Sequence, residues 1–145
     1  MDSQQEQIQN DGLNICTSLD SCGSVLENSK NKASVSFVPN ESMVSDIDEH
    51  SKLIHAGYIF NAASFAAMVA VNKKHSIMIA ADVKFLSPIQ LGHEIFFKAH
   101  ALQHNTKKCE VKVEGFLLDI KIFDSIFHIA VFDKAPFSIA LEKVK

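Results

Sequence analysis

Apolar and polar positions change period several times along this chain, and each change predicts an element. Ala33, Val35 and Phe37 alternate with Ser34 and Ser36, and Pro39 then stops any ladder, so Ala33–Val38 is expected to be a strand. Pro39 to Leu53 has no sustained period and reads as a loop. From Gly57 to Asn72 there is neither proline nor charge, alanine is abundant and apolar residues fall on every face. That pattern predicts a helix, beginning near Ala56 or Gly57, buried on several sides. Asn72-Lys73-Lys74 ends it in solvent, with positive charge suited to the C-terminal dipole.

Alternation returns after the helix. Ile77, Ile79, Ala81, Val83 and Phe85 share one face, opposite Ser76, Asp82 and Lys84, which predicts a strand with one buried side. Ser87-Pro88 breaks it and Gly92 permits a turn. Glu94–His104 then carries Ile95, Phe97, Ala99 and Ala101 on one face, and Asn105 to Lys108 suits a hairpin turn. Val111, Val113 and Leu117 oppose Glu110, Lys112 and Glu114 in the next strand. Asp119–Lys121 turns into Ile122–Phe132, apolar enough for the middle of a sheet or a subunit contact. No repeat of solenoid period occurs.

Residues 1–32 are rich in Gln, Asn, Ser and Asp, and are expected to be a flexible or loosely docked extension, with residues 33–145 forming a single domain. The length of 145 residues and 47% apolar content support one sizeable core. Net charge is only −3 and all 14 basic residues are lysine, so the forked contacts that arginine makes to phosphates and base edges are missing. Direct nucleic-acid binding is therefore disfavoured. Cys16, Cys22 and Cys109 have neither CxxC nor Cys/His spacing, so no metal site is expected and a reducing, cytoplasmic compartment fits better than a disulfide framework. No secretory signal pattern precedes the domain. Ile54–Val71 is apolar but carries His55, Asn61 and Ser64, and the strands that follow favour a core helix over a membrane span.

His55-Ala56-Gly57 at the helix start, with Asp82-Val83-Lys84-Phe85-Leu86-Ser87-Pro88-Ile89-Gln90-Leu91-Gly92 joining two strands, resembles the hotdog-fold acyl-CoA thioesterase superfamily over residues 33–134. Within it the chain looks closest to non-catalytic members: the acyl-CoA or malonyl-CoA effector domain of bacterial fatty-acid-synthesis repressors, and the small, flagellum-co-regulated virulence factors of spiral bacteria. The resemblance implies an α+β hotdog fold, a long central helix wrapped by a curved antiparallel sheet of about five or six strands. It also implies a homodimer with acyl-CoA sites at the interface. The repressors carry a helix-turn-helix before this domain, and residues 1–32 show no pair of amphipathic helices, so their DNA binding is not carried over.

Thioester hydrolysis needs a polarised carbonyl and an activated water or carboxylate. Backbone N–H groups at a helix N-terminus meet the first need, and Gly57 is the natural donor, since the resemblance puts a Gly N–H on the thioester oxygen near this point. Gly57 would equally serve simply to start the helix. His55 matches the His of a His-Gly-Gly motif in one thioesterase branch, although Ala56 replaces the first Gly. A lone His is most often structural. That branch has Asp or Glu nine residues beyond the His, where this chain has Ser64. Without a base beside it, serine is a poor nucleophile and cannot activate water, and Asn61 can orient a water but cannot take its proton. Both would equally serve as polar groups satisfied within the helix. Asp46, Asp48 and Glu49 in the preceding loop are weak substitutes, at a spacing that fits another branch poorly.

An acyl chain would be lined by Phe60, Phe65 and Met68, residues that are also ordinary core, because apolar burial of about 0.8 kcal/mol per methylene holds fatty chains. Pantetheine would run along Phe85, Leu86, Ser87 and Pro88, and Lys84, Lys107 or Lys108 would meet the nucleotide phosphates. No cofactor is required. The expected function is acyl-CoA binding without efficient hydrolysis, in a sensing or sequestering role. The alternatives are an acyl-CoA thioesterase using a loop carboxylate, and a dimeric protein-interaction module.

Overall fold

The computed structural model describes residues 13, 21–45, 50–102 and 107–135. Its elements are β1 (Ser24–Ser29), β2 (Lys32–Phe37), a 3-10 turn (Glu41–Met43), α1 (Ala56–Val71), β3 (Ser76–Phe85), β4 (Ile95–Ala101), β5 (Lys108–Leu117) and β6 (Ile120–Val131). All six strands form one antiparallel sheet in the order β1-β2-β4-β5-β6-β3. One long helix against six antiparallel strands is the α+β arrangement expected.

α1 has no polar stripe of the usual kind. Ile59, Ala62, Ala63, Phe65, Ala66, Ala67, Val69, Ala70 and Val71 are all buried, and the helix packs mainly on β2, β4 and β5. Alanine makes this possible, because its small side chain lets the helix axis approach neighbouring layers closely. The helix ends at Asn72, whose left-handed backbone (φ 50°, ψ 49°) directs its N–H onto the Met68 carbonyl at 2.8 Å. Beneath it, Ile95, Phe97, Ala99 and Ala101 are buried along β4 as their alternation predicts. Gly115 lies where a Cβ would stand 2.9 Å from both Phe97 Cε1 and Phe123 Cβ, so its lack of a side chain lets those rings meet edge to face at 5.7 Å.

Two expectations need correction. Residues 24–29, taken from composition as part of the N-terminal extension, form β1 and pair with β2, so the sheet begins earlier than Ala33. The strand is concealed in sequence by a bulge between Val25 and Glu27, which interrupts the period of two. Gly23 (φ 98°) lets the chain enter β1 against the Ser36 carbonyl, where any Cβ would collide. Of residues 1–20 only Leu13 is described, whereas residues 21–32 all are.

The second correction concerns β3. A bulge between Met78 and Ala80 shifts its phase, so Met78, Ala81, Val83 and Phe85 pair level with the inward residues of β6, while Ile77 pairs with Ala130 on the other side. None of its ten residues is buried: Ile77 is 44% exposed, Ile79 52% and Phe85 49%. The predicted buried face is open, because α1 packs chiefly on β2, β4 and β5 and only touches β3.

Candidate functional site

Two strands of backbone contact fix where α1 begins. The Ile54 N–H donates to the Ile89 carbonyl at 2.8 Å and the Leu91 N–H to the Lys52 carbonyl at 2.9 Å, while the His55 N–H donates to the Met43 carbonyl at 3.0 Å. His55 then caps the helix. Its backbone is extended (φ −60°, ψ 131°) and its Nδ1 accepts from the Gly57 N–H at 2.9 Å, which requires the neutral tautomer with its proton on Nε2. A Cβ on Gly57 would stand 3.0 Å from that nitrogen, so the missing side chain leaves the imidazole its place.

An open cleft of about 510 Å³ lies here, lined by Ser21, His55, Gly57, Tyr58 and Asn61. The fold thus brings together three of the residues singled out from sequence and adds two. Tyr58 meets the His55 ring edge-on at 6.2 Å. Ser21 arrives on the chain entering β1: the Asn61 Nδ2 donates to its carbonyl at 3.1 Å and also lies 3.4 Å from Cys22 Sγ. No local sequence signal could have shown this pairing across 40 positions. Ser64 sits one turn farther along, its hydroxyl donating to the Asn61 carbonyl at 2.8 Å.

Among the described residues the cleft has no carboxylate lining. Asp46, Asp48 and Glu49 lie outside the described residues. No described group of His, Cys, Asp and Glu is arranged to hold a metal ion. The proton affinity of Lys121 is raised by its hydrogen bond to Glu114 at 2.8 Å and by Asp124, and this lysine stands on the solvent side of the sheet.

Phe60, Asn61, Ser64 and Met68 are all half-buried and follow one another at helical spacing. With Gly57 they make a stripe of about 16 Å along α1. Phe60 reaches the sheet, with its ring 5.5 Å from that of Phe127. Phe65 is off this stripe and only 4% exposed, as a core residue is.

No protein-family model matches the chain. The solved structure of the HP0420 homologue from Helicobacter felis is 36% identical, covers 87% of this chain and 90% of that one, and superposes with a TM-score of 0.80. The chain belongs to that protein's family. Cj0977, a sigma28-regulated virulence protein from Campylobacter jejuni, is 29% identical over 93% of this chain and 95% of its own, at a TM-score of 0.85. A hypothetical thioesterase with coenzyme A from Streptococcus pneumoniae shares the fold at a TM-score of 0.66 and 13% identity, over 74% of this chain and 84% of that one. The fold is the hotdog fold.

Among curated relatives, methylthioribose-1-phosphate isomerase of Aquifex aeolicus is 40% identical over 95 residues, which are 66% of this chain and 20% of the isomerase. The transcription factor FapR of Thermoanaerobacter is 24% identical over 68% of this chain and 48% of its own length. The chain therefore spans about a fifth and about half of these two proteins.

Within this hotdog family member the remaining candidates divide. Phe85 and Leu86 are about half exposed at the end of β3, with Phe85 5.5 Å from the Phe123 ring, and Ser87 and Pro88 follow in the connection. Lys84 is level with Asp124 and hence with Glu114, whereas Lys108 begins β5 six positions away (114 − 108 = 6), about 20 Å along the sheet. Lys84 and the Lys107-Lys108 pair are therefore at opposite ends of one protomer and cannot share one phosphate group.

Proposed function

We propose that this chain binds an acyl-CoA or related acyl thioester as a homodimer, without efficient hydrolysis, and senses or sequesters it. The observation that carries the reading is the cleft at the α1 N-terminus, with amide and imidazole groups but no carboxylate among its described lining residues. A thioester oxygen reaching the Gly57 N–H takes the place of His55 Nδ1, and the displaced imidazole can then donate from Nε2. Ser64 donates a hydrogen bond to the Asn61 carbonyl and Asn61 holds Ser21, and neither a hydroxyl nor a carboxamide is basic enough at neutral pH to take a proton from water.

The acyl chain would lie along Phe60 and Met68 towards the open inner side of β3, with pantetheine passing Phe85 to Pro88. Coenzyme A in the Streptococcus pneumoniae thioesterase of this fold supports the ligand class. The half-open β3 edge supports the dimer: Ile77, Ile79 and Phe85 would be covered by a second copy. Buried thiols at Cys22 and Cys109 support a reducing, cytoplasmic setting, and no described helix is long and apolar enough to cross a membrane.

Titrating the protein with acyl-CoAs of several chain lengths, while following binding and thiol release together, tests the reading. Saturable binding with no release is expected. Multiple turnover overturns it in favour of a thioesterase, and loss of that turnover in Asp48→Asn or Glu49→Gln would locate the base. Failure to bind any acyl-CoA leaves an interaction module.

A further inference from the structure

Antiparallel pairing gathers three connections and the exit of β6 at the end of the sheet remote from the α1 N-terminus, and each of them carries lysine. Lys30 and Lys32 flank the β1–β2 turn, where the Ala101 N–H donates to the Asn31 carbonyl at 2.8 Å. Lys73 and Lys74 join the helix end to β3, and the Phe132 N–H reaches the His75 carbonyl at 2.7 Å. Lys107 and Lys108 open β5, and the Lys107 carbonyl accepts from the Val131 N–H at 2.8 Å. Lys134 follows β6. All seven side chains are exposed, half of the chain's 14 lysines.

Opposing charge is sparse here. Asp133 is the only carboxylate among the described residues of these connections, and Glu110, farther along β5, is 3.8 Å from His128 Nδ1. At the other end Glu41, Glu94 and Asp119 are in the connections instead. A chain of net charge −3 thus carries a basic pole. Apolar side chains are set among its lysines: Leu102 is 48% exposed and Phe132 37%.

We propose that this pole docks on an anionic lipid bilayer. The width is decisive. Lys30 and Lys32 stand at the β1 edge and Lys73 and Lys74 at the β3 edge, five strand spacings apart or about 24 Å, so one nucleotide cannot engage both. An extended anionic surface can. The chain has no arginine to fork onto phosphates or bases, and Phe132 alone among the pole's apolar side chains offers a stacking face, where surfaces that hold nucleic acid stack several bases in succession. Lysine stems with aliphatic neighbours suit a membrane interface, where the ammonium groups meet headgroups and the apolar side chains enter the acyl boundary.

The test is co-sedimentation of the full chain with vesicles of phosphatidylglycerol and phosphatidylcholine in equal parts, against vesicles of phosphatidylcholine alone. Binding to the anionic vesicles only, weakened by salt, is expected. Lys73→Gln with Lys74→Gln should lower the partition coefficient about tenfold or more, as should Lys30→Gln with Lys32→Gln, while Lys98→Gln on the sheet face leaves it unchanged. Thermal melts check that the variants fold. Equal binding to both vesicles, binding to neither, or indifference to the paired substitutions overturns the proposal. Displacement by stoichiometric coenzyme A would assign the lysines to nucleotide phosphates, and displacement by a stoichiometric oligonucleotide to nucleic acid, and either result overturns it too.

Discussion

β1 and β3 are the two edge strands of the sheet and both are bulged, yet β1 is anchored where the chain enters it, with Val25 buried, whereas β3 buries nothing. β1 has six residues and is secured from several sides: Cys22 and Val25 are buried, Gly23 seats the chain on the Ser36 carbonyl, and Asn61 holds Ser21. β3 has ten residues, hydrogen-bonds only to β6 within the sheet, and buries none of them. The helix does not make the difference: α1 rests chiefly on β2, β4 and β5 and touches β1 and β3 about equally little. The chain entering β1 does, through buried Cys22, Gly23 on the Ser36 carbonyl and the Asn61 contact to Ser21. An edge is thus a liability or a docking site according to what lies over its face, and the same bulge device serves both.

Four substitutions would break or sharpen this contrast. The largest effect is expected at the open edge: Ile79→Lys places charge on the surface that the proposed dimer covers, twice by symmetry, and should weaken self-association by about a hundredfold or more, measured by sedimentation. Retention of a dimer of wild-type affinity would remove β3 as the interface. Next comes Gly23→Ala at the closed edge, which meets both a positive φ and the Ser36 carbonyl. A loss of about 2–3 kcal/mol in urea unfolding is expected, and an unchanged midpoint would show that this entry to β1 is not held closely.

A smaller loss of about 1 kcal/mol is expected for Asn61→Ala, which frees Ser21 and opens one wall of the cleft. Faster amide exchange at residues 21–25 than at β2 would accompany it. Least of all, Leu26→Ser alters an exposed bulge residue of β1 and should shift stability by no more than about 0.5 kcal/mol, without changing oligomeric state. A change in assembly there would mean that the β1 edge is also an interface.

The candidate site was legible where chemistry is local. His55, Gly57 and Asn61 were recognisable because they open a helix that is otherwise apolar, and all three line the cleft. Ser21 was not, since its place depends on a contact with Asn61 made only after β1 has paired. Phe65 was selected with Phe60 and Met68 because all three are large and apolar. Helical phase separates them: Phe60 and Met68 are on the half-exposed stripe, and Phe65 turns into the core. Lys84 and Lys108 look equivalent in sequence until antiparallel pairing sends them to opposite ends.

By itself the sequence determined the order of elements from residue 33 onward, the position and burial of the central helix, and the alternation that makes β4 and β5 core strands. These follow from short-range periodicity and from the helix-forming tendency of alanine. It also determined that arginine is absent. Tertiary structure alone decided that residues 24–29 join the sheet, that β3 is open, that Asn61 holds Ser21, and that seven scattered lysines share one pole. Each of these depends on strand register and on where the helix lies, which distant pairings set and no local window contains.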